Sequence, residues 1–426
     1  MSALLEIGLT LTEPPSHRKG DGMDSPHNRL GDRVKRYRKA TGRSQPVIAG
    51  LCGISVRYLS LIEGGRKTPS VDVLSRLAAE LQVPIGALLN DSTVTEPTSP
   101  DRAAADIAGA LMGYRRPASG TPAVPAVVLR ERVESAWATW QSSKTRFSEA
   151  EDTLPELIGD VEHAIQTHRR GTDVEARRDT LRTAADLYGL LRSYCRRAGR
   201  LDLSLMAADR AIRAAEEADD PVRLASAQWN LGHVLLSDER AGAVEEAKDV
   251  ALNAVDQCRR EADTPELTAL RGALELVAVV ADARQRRWWD ARQRLEKKAA
   301  VLGDRAGEGN VQRTVFGPTN VSLHAMSIEM LAGEAAEALR LADLVDTTGL
   351  PSRERRFTFG LEVARCHHLR GEDASVYVHL LGLEELAPED LVRSAQGLAL
   401  VNGLLGRVRP TYRDQVTDLA ERLGVI

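Results

Sequence analysis

The stretch SQPVIAGLCGISVRYLSLIEGG, Ser44 to Gly65, sets two short segments with apolar residues at helical spacing around a Gly-Ile-Ser corner. Ser44 is placed to cap the first segment, and Pro46 falls in its opening turn, where a missing N–H is harmless. Gly53 ends that helix. Ile54 fills the corner and Ser55 caps a second helix, with Leu59 and Ile62 pointing inward and Val56, Arg57, Ser60 and Leu61 on other faces. Two short helices joined by a three-residue turn make either the corner of a buried hairpin or a helix-turn-helix shaped to enter a DNA groove.

Charge separates the two readings. From Asn28 to Asn90, 11 Lys and Arg stand against 4 Asp and Glu, a local +7, so that of the total of −4 the remainder carries −11. A basic block inside an acidic chain is the footprint of a nucleic-acid module on a body with another task.

Working outward, the 426 residues suggest two to three domains. Residues 1–27, rich in Pro, Gly, Ser and charge with no period that buries a face, read as a disordered tail. Residues 28–90 hold helical pattern in short pieces, and residues 91–125, with DSTVTEPTSPD and RRPASGTPAVP on either side of a short helical stretch, read as a linker. From residue 126 to 426, apolar residues recur at i, i+3, i+4 and i+7 and strand signals are almost absent. The expected fold is all-α: a small five-helix head followed by a solenoid of helical hairpins.

The body repeats itself. Gly199, Gly242, Gly333 and Gly371 sit in short polar turns, with Arg286 at the corresponding place between the second and third, at intervals of about 40 residues typical of helical repeats. Small residues after each turn, such as Ala208 and Ala211, Ala247 and Ala251, or Ala338 and Ala342, let paired helices approach closely. With Leu231, Gly232, Tyr188 and Leu191 in place, these units resemble tetratricopeptide repeats, although they exceed the usual length of about 34 residues and most lack the terminal Pro. A stack of such hairpins presents a concave face, where function is expected.

No run of about 18 uncharged apolar residues occurs, and MSALLEIGLTLTEPPSHRKGDG lacks the basic start and long apolar core of a signal peptide, so the cytoplasm is the expected location, without a membrane partner. Cys52, Cys195, Cys258 and Cys366 lie far apart in apolar helical contexts and read as reduced core thiols. His367 and His368 are adjacent, so on a helix they diverge by about 100° and do not share one metal easily. No HExxH, GxSxG, P-loop or glycine-rich dinucleotide fingerprint is present, so neither an enzyme nor a cofactor or metal is expected. Trp137 and Trp140 share a helix face and Trp288 and Trp289 begin another helix; packing between repeats accounts for them more readily than ligand stacking. Asn230, Asn253, Asn320 and Asn402 interrupt apolar helices and are candidates for holding an effector, against the alternative of solvated or helix-bracing amides.

Leu30 to Leu89 resembles the phage-repressor, or xenobiotic-response-element, type of helix-turn-helix domain, through GDRVKRYRKATGRSQ, GISVRYLSLIEGG, RKTPS and VLSRLAAELQVP. The resemblance implies that Gln45 holds a phosphate at a helix N-terminus and braces the recognition helix. It implies that Val56, Arg57 and Ser60 meet base edges, Arg57 as a guanine reader and Val56 as a thymine-methyl contact, while Arg43, Arg66 and Lys67 position the backbone. Arg38 and Glu63 fall where the family has a structural ion pair. Leu61 departs from the pattern, replacing a polar groove-facing residue; it either reads a methyl group or packs on the protein. Beyond the head, VESAWATWQSSKTRFSEAEDTLPELIGDVEHA is similar to the entry of the helical body in actinobacterial regulators that fuse this domain to a degenerate tetratricopeptide array.

The resulting expectation is a homodimeric transcription regulator on an inverted-repeat DNA operator, whose repeats sense a peptide, a small molecule or a protein. An adaptor tethered to DNA, whose repeats dock a protein partner, is the alternative.

Overall fold

The computed structural model describes residues 26–81, 83, 88, 100–113, 122–169 and 171–426, in two compact units, Met1–Thr98 and Ser99–Ile426. Among the described residues every regular element is a helix.

The first unit holds α1 (Pro26–Ala40), α2 (Gln45–Leu51), α3 (Val56–Glu63) and α4 (Val71–Glu80). Ser44 takes the extended N-cap conformation and its backbone oxygen accepts the Ile48 N–H at 3.2 Å, yet its hydroxyl makes no capping bond. Ser55 does cap α3, its hydroxyl accepting the Tyr58 N–H at 3.1 Å. Between them Gly53 adopts φ +63°, and Ile54 N–H closes the turn on Ala49 O at 2.9 Å. The chain bends by 111° from α2 to α3, the angle of a helix-turn-helix.

The core beneath is Val34, Ile48, Leu59, Ile62, Leu74 and Leu77, one apolar stripe from each helix. Helices α1 and α3 touch backbone to backbone at Gly31, where a Cβ would lie 2.3 Å from Ile62 O. No side chain fits there, so Gly31 sets how deeply the recognition helix seats. The fifth head helix expected from the pattern falls largely outside the described residues, of which Leu88 is buried and its carbonyl accepts Arg33 Nε–H at 2.8 Å.

The second unit begins earlier than the Pro and Gly punctuation predicts. Helix α5 (Pro100–Leu111), placed by that reading in the linker, buries Ile107, Ala110 and Leu111 in the body core with α7. Three apolar positions one helical turn apart outweigh the breakers on either side. The disordered-tail expectation falls on residues outside the description, except that α1 already includes Pro26 and His27.

The remaining helices are α6 (Ala126–Ser142), α7 (Arg146–Arg169), α8 (Val174–Arg197), α9 (Leu201–Glu217), α10 (Pro221–Ser237), α11 (Ala243–Cys258) and α12 (Pro265–Arg284). Helix α13 (Trp288–Arg294) runs through a π-helical stretch, Leu295–Ala300, into α14 (Val301–Ala306). Then follow α15 (Pro318–Ala332), α16 (Ala335–Ala342), α17 (Arg353–Leu369), α18 (Asp373–Leu386), α19 (Pro388–Arg393), α20 (Ala395–Leu405) and α21 (Arg413–Arg422). Neighbours in sequence pack on one another, as hairpin repeats do.

Each repeat turn reverses through one left-handed residue: Gly199 at φ +75°, Gly242 at +88°, Gly333 at +87°, Gly371 at +73° and, in the same place, Arg286 at +60°. The small residues behind them, Ala208, Ala211, Ala247, Ala251 and Ala338, are fully buried.

The array is not an open stack. Arg146, at the start of α7, meets Asp390 of α19; Glu389 accepts the Phe147 N–H at 2.7 Å; and Arg353 of α17 donates to Ser142 O at 2.8 Å. The start of the array is thus joined to its α17–α19 segment, and a cavity is lined by residues of both.

Candidate functional site

In the head, Leu59, Ile62 and Glu63 anchor α3 while Val56, Arg57 and Ser60 are exposed on its outer side. Leu61 is half-buried, between the two roles open to it, and its carbonyl receives the N–H groups of Arg66 and Lys67 at 2.8 and 3.2 Å. Those bonds fix the start of the RKTPS loop with both basic side chains exposed, while Pro69 is buried.

Three helices meet at Glu63. Its carboxylate accepts Arg38 Nε–H at 2.6 Å and Nη2–H at 2.9 Å, and Gln45 Nε2–H at 2.8 Å. Burial opposes ionisation of Glu63, but the hydrogen bonds from Arg38 and Gln45 outweigh it and hold the carboxyl below the usual range. The amide of Gln45 is therefore turned to Glu63, bracing α3. Arg38 also donates to Arg43 O at 3.0 Å, tying down the α1–α2 loop. Arg43 itself donates to Glu80 O at 3.1 Å, capping α4. Its guanidinium thus has a structural partner where the resemblance implies a phosphate contact.

In the body, the four asparagines separate. Asn253 and Asn402 are exposed on helix faces opposite the buried alanines and leucines of α11 and α20, and do not reach the interior. Asn230 and Asn320 are buried and hold arginines: Asn230 Oδ1 accepts from Arg192, and Asn320 Oδ1 accepts Arg355 Nε–H at 2.7 Å. Both orient cations, and Asn320 also lies on the wall of the body cavity.

The arginines line a cavity of about 210 Å³. Its walls carry Arg146, Arg192, Arg196, Arg197, Arg313 and Arg355, one carboxylate, Glu354, and the indoles of Trp137, Trp140 and Trp229. Burial disfavours the charge on Glu354, but Arg197, Arg146 and Arg196 hold its carboxyl well below the usual range. Burial, then neighbouring positive charge, pushes Arg192 down to about 9 and Arg196 down to about 10. His233 and His324 on the same walls are held neutral, His324 down to about 3, first by burial and then by nearby arginines.

Trp137 and Trp140 are both packed and cavity-lining: their indole N–H groups donate to Asp186 O at 2.9 Å and Ser193 Oγ at 3.1 Å, and Trp140 stands edge-on to Phe147. Trp288 packs against the α12–α14 core, whereas Trp289 is exposed. His367 pairs with Glu372 at 2.6 Å and His368 with Arg407 at 2.9 Å, in separate surroundings. Among the described residues no cluster of His, Cys, Asp or Glu is arranged to hold a metal. No single described helix is long and apolar enough to cross a membrane.

The cavity arginines were missed by motif reading. The signal was present as the unusual strings LLRSYCRR and RERRFTFGLEVAR, where arginines stand inside apolar helical pattern.

Residues 29–90 match the family profile described as a helix-turn-helix domain, in keeping with the geometry above. Curated relatives of this part include the HTH-type transcriptional regulator SinR of Bacillus licheniformis, 40% identical over 68 residues, which are 16% of this chain and 61% of the relative. The transcriptional regulator ClgR of Mycobacterium tuberculosis is 36% identical over 63 residues, 15% of this chain and 56% of the relative. The chain thus spans about three fifths of the length of the curated relatives it matches. Among solved structures, PlcR of Bacillus thuringiensis in complex with the peptide PapR7 and DNA aligns over 81% of this chain and 98% of its own, at 12% identity and a TM-score of 0.28. Apo ComR of S. thermophilus aligns over 89% and 99%, at 11% and 0.32. Both superpositions are too loose to assign anything to this chain.

Proposed function

We propose that this chain is a sequence-specific DNA-binding transcription regulator of the cytoplasm. The observation that carries the reading is α3: a capped helix whose inner face is locked by Leu59, Ile62 and the Arg38–Glu63–Gln45 cluster and whose outer face offers Val56, Arg57 and Ser60 beside exposed Arg66 and Lys67. A short helix held this rigidly, with a guanidinium and small side chains outward, suits the major groove, where arginine reads guanine bidentately. Its setting of +7 supplies the phosphate attraction. In this reading Gln45, Arg43, Arg66 and Lys67 contact phosphates, Arg43 and Gln45 through donors not used internally.

The regulator acts as a homodimer on an inverted repeat with half-sites about 34 Å apart or a multiple of it. The body senses an effector, a peptide or a small molecule, and shifts operator affinity through differential binding to two arrangements of the repeats. The junction of the start of the array with its α17–α19 segment favours an internal site for that effector over an open docking face.

The test is to incubate the full chain with fragmented genomic DNA at ~150 mM salt, where non-specific binding is weak, and to sequence what is retained. Enriched inverted repeats support the reading. Failure to enrich any sequence, together with a protein that co-purifies stoichiometrically, turns it towards the DNA-tethered adaptor.

A further inference from the structure

The charges around the body cavity do not balance. Asp390 takes Arg146, Glu134 and Asp186 take Arg313 at 2.6 and 3.6 Å, Arg355 donates to the Asn320 amide at 2.7 Å, and Glu354 alone answers Arg197 at 2.6 Å, Arg196 at 3.0 Å and Arg146 at 3.3 Å. Arg192 and Arg196 are left without a carboxylate of their own, Arg196 merely sharing Glu354 at 3.0 Å. Arg192 is 3% exposed, and its Nε, like that of Arg196, is a buried donor with no hydrogen-bond partner.

Two guanidiniums side by side, with Arg192 donating to the neutral Asn230 amide and both Nε groups unsatisfied, are unfavourable in a protein interior. Such a conflict, kept in a core otherwise well packed, marks a functional position. The planar donor forks of two arginines match the oxygens of a phosphate or carboxylate. Beside them, Trp229, Trp137, Ala273, Leu276 and Val315 supply apolar and aromatic wall, Arg192 lying 5.5 Å from the Trp229 ring. A volume of about 210 Å³ leaves room for a single-ring compound.

We propose that this cavity binds a small organic oxyanion with two negative charges, a phosphomonoester or a dicarboxylate, with Arg192 and Arg196 as its anchoring cations and Trp229 against its apolar part. As the effector of the chain, this ligand rests on the proposed regulatory function; as a binding site, it does not.

Three of the five tryptophans line the cavity, so binding is read by intrinsic fluorescence and by thermal unfolding of the full chain without DNA. The probes are phenyl phosphate and isophthalate, which separate the two sources of charge, with benzyl alcohol as the uncharged control. One or both dianions are expected to change the fluorescence saturably and, at ~100 times their Kd, to raise Tm by about 5 °C. Benzyl alcohol is expected to do neither. Arg192→Gln with Arg196→Gln removes uncompensated charge, so the variant is expected to melt no lower than the parent while binding at least ~10-fold more weakly. Arg192→Lys, keeping charge but not the fork, is expected to fall between.

Absence of any saturable response to either dianion at about 10 mM, a concentration sufficient for millimolar affinity, overturns the proposal. So does a response that the double variant or Arg192→Lys leaves unchanged. Because no DNA is present, a chain that failed to select DNA would leave the site standing, whereas one that selected an operator but ignored both dianions would lose the site alone.

Discussion

Arg146 and Asp390 stand 244 residues apart in the chain and form a buried, two-pronged ion pair, with Arg146 Nε donating to Asp390 Oδ2 at 3.0 Å. The guanidinium also lies 4.1 Å from the Trp140 ring and 3.3 Å from the Glu354 carboxylate. One side chain therefore joins the start of the array, its α17–α19 segment and the cavity wall.

Asp390→Ala leaves that guanidinium buried with only a shared carboxylate, and is expected to destabilise the body by about 3–5 kcal/mol. All five tryptophans belong to the second unit, so denaturation followed by tryptophan fluorescence reports on the body without the head. Replacing both partners by methionine removes the stranded charge and is expected to recover much of the loss. A midpoint for Asp390→Ala within error of the parent would mean that the repeats hold closed without this pair.

The Glu63 cluster makes head stability depend on acid. The folded-state pKa of Glu63 lies below its ordinary value of 4.5, because Arg38 and Gln45 overcome the burial that opposes ionisation. Its contribution is therefore complete above pH 4.5 and drains away as the pH falls through the folded-state value. Hydrogen exchange at peptides spanning residues 45–63 is expected to quicken in that acid window, and Glu63→Gln to lower protection at neutral pH while flattening this acid dependence. Arg38→Ala, which strands a carboxylate 3% exposed, is expected to lower protection most at neutral pH.

At the proposed DNA surface, Arg57→Ala is expected to weaken specific binding by ~1–3 kcal/mol and to relax preference at one base position. Lys67→Ala is expected to weaken all sequences alike and to reduce the salt slope by ~1. Binding isotherms at several salt concentrations, on the selected operator and on a scrambled one, distinguish these. An equal loss on both sequences for Arg57→Ala would make it a phosphate contact.

Arg286 occupies a position that the other repeat turns give to glycine, at φ +60°. The left-handed conformation costs a residue with a Cβ about 1 kcal/mol. Arg286→Gly is expected to stabilise the body by up to that amount, and Gly242→Ala, at φ +88°, to destabilise it similarly. A lower unfolding midpoint for Arg286→Gly would show that the side chain contributes more than the backbone loses.

The amino-acid sequence alone carried the helix-turn-helix, the all-helical body and the repeat turns. Each depends on signals within a few residues: Ser55 and Gly53 at a corner, apolar spacing in α3, and a left-handed residue about every 40 positions down to Arg286. Ser44 shows the limit even locally, since the residue type suited to a cap makes no side-chain bond. The boundary at α5 was misplaced because the Pro and Gly punctuation on either side was weighed above the apolar period of the helix itself.

Only the tertiary structure decided which repeats meet. Helical periodicity says which face of each helix is buried but not against what, and the junction of Arg146 with Asp390, like the gathering of Arg192, Arg196, Arg313 and Arg355 around one space, follows from the accumulated rotation between many packed helices. That rotation is a sum of small packing angles, none of them written in a local motif, and it turned an expected open groove with four asparagines into a cationic cavity in which two of them serve as arginine supports.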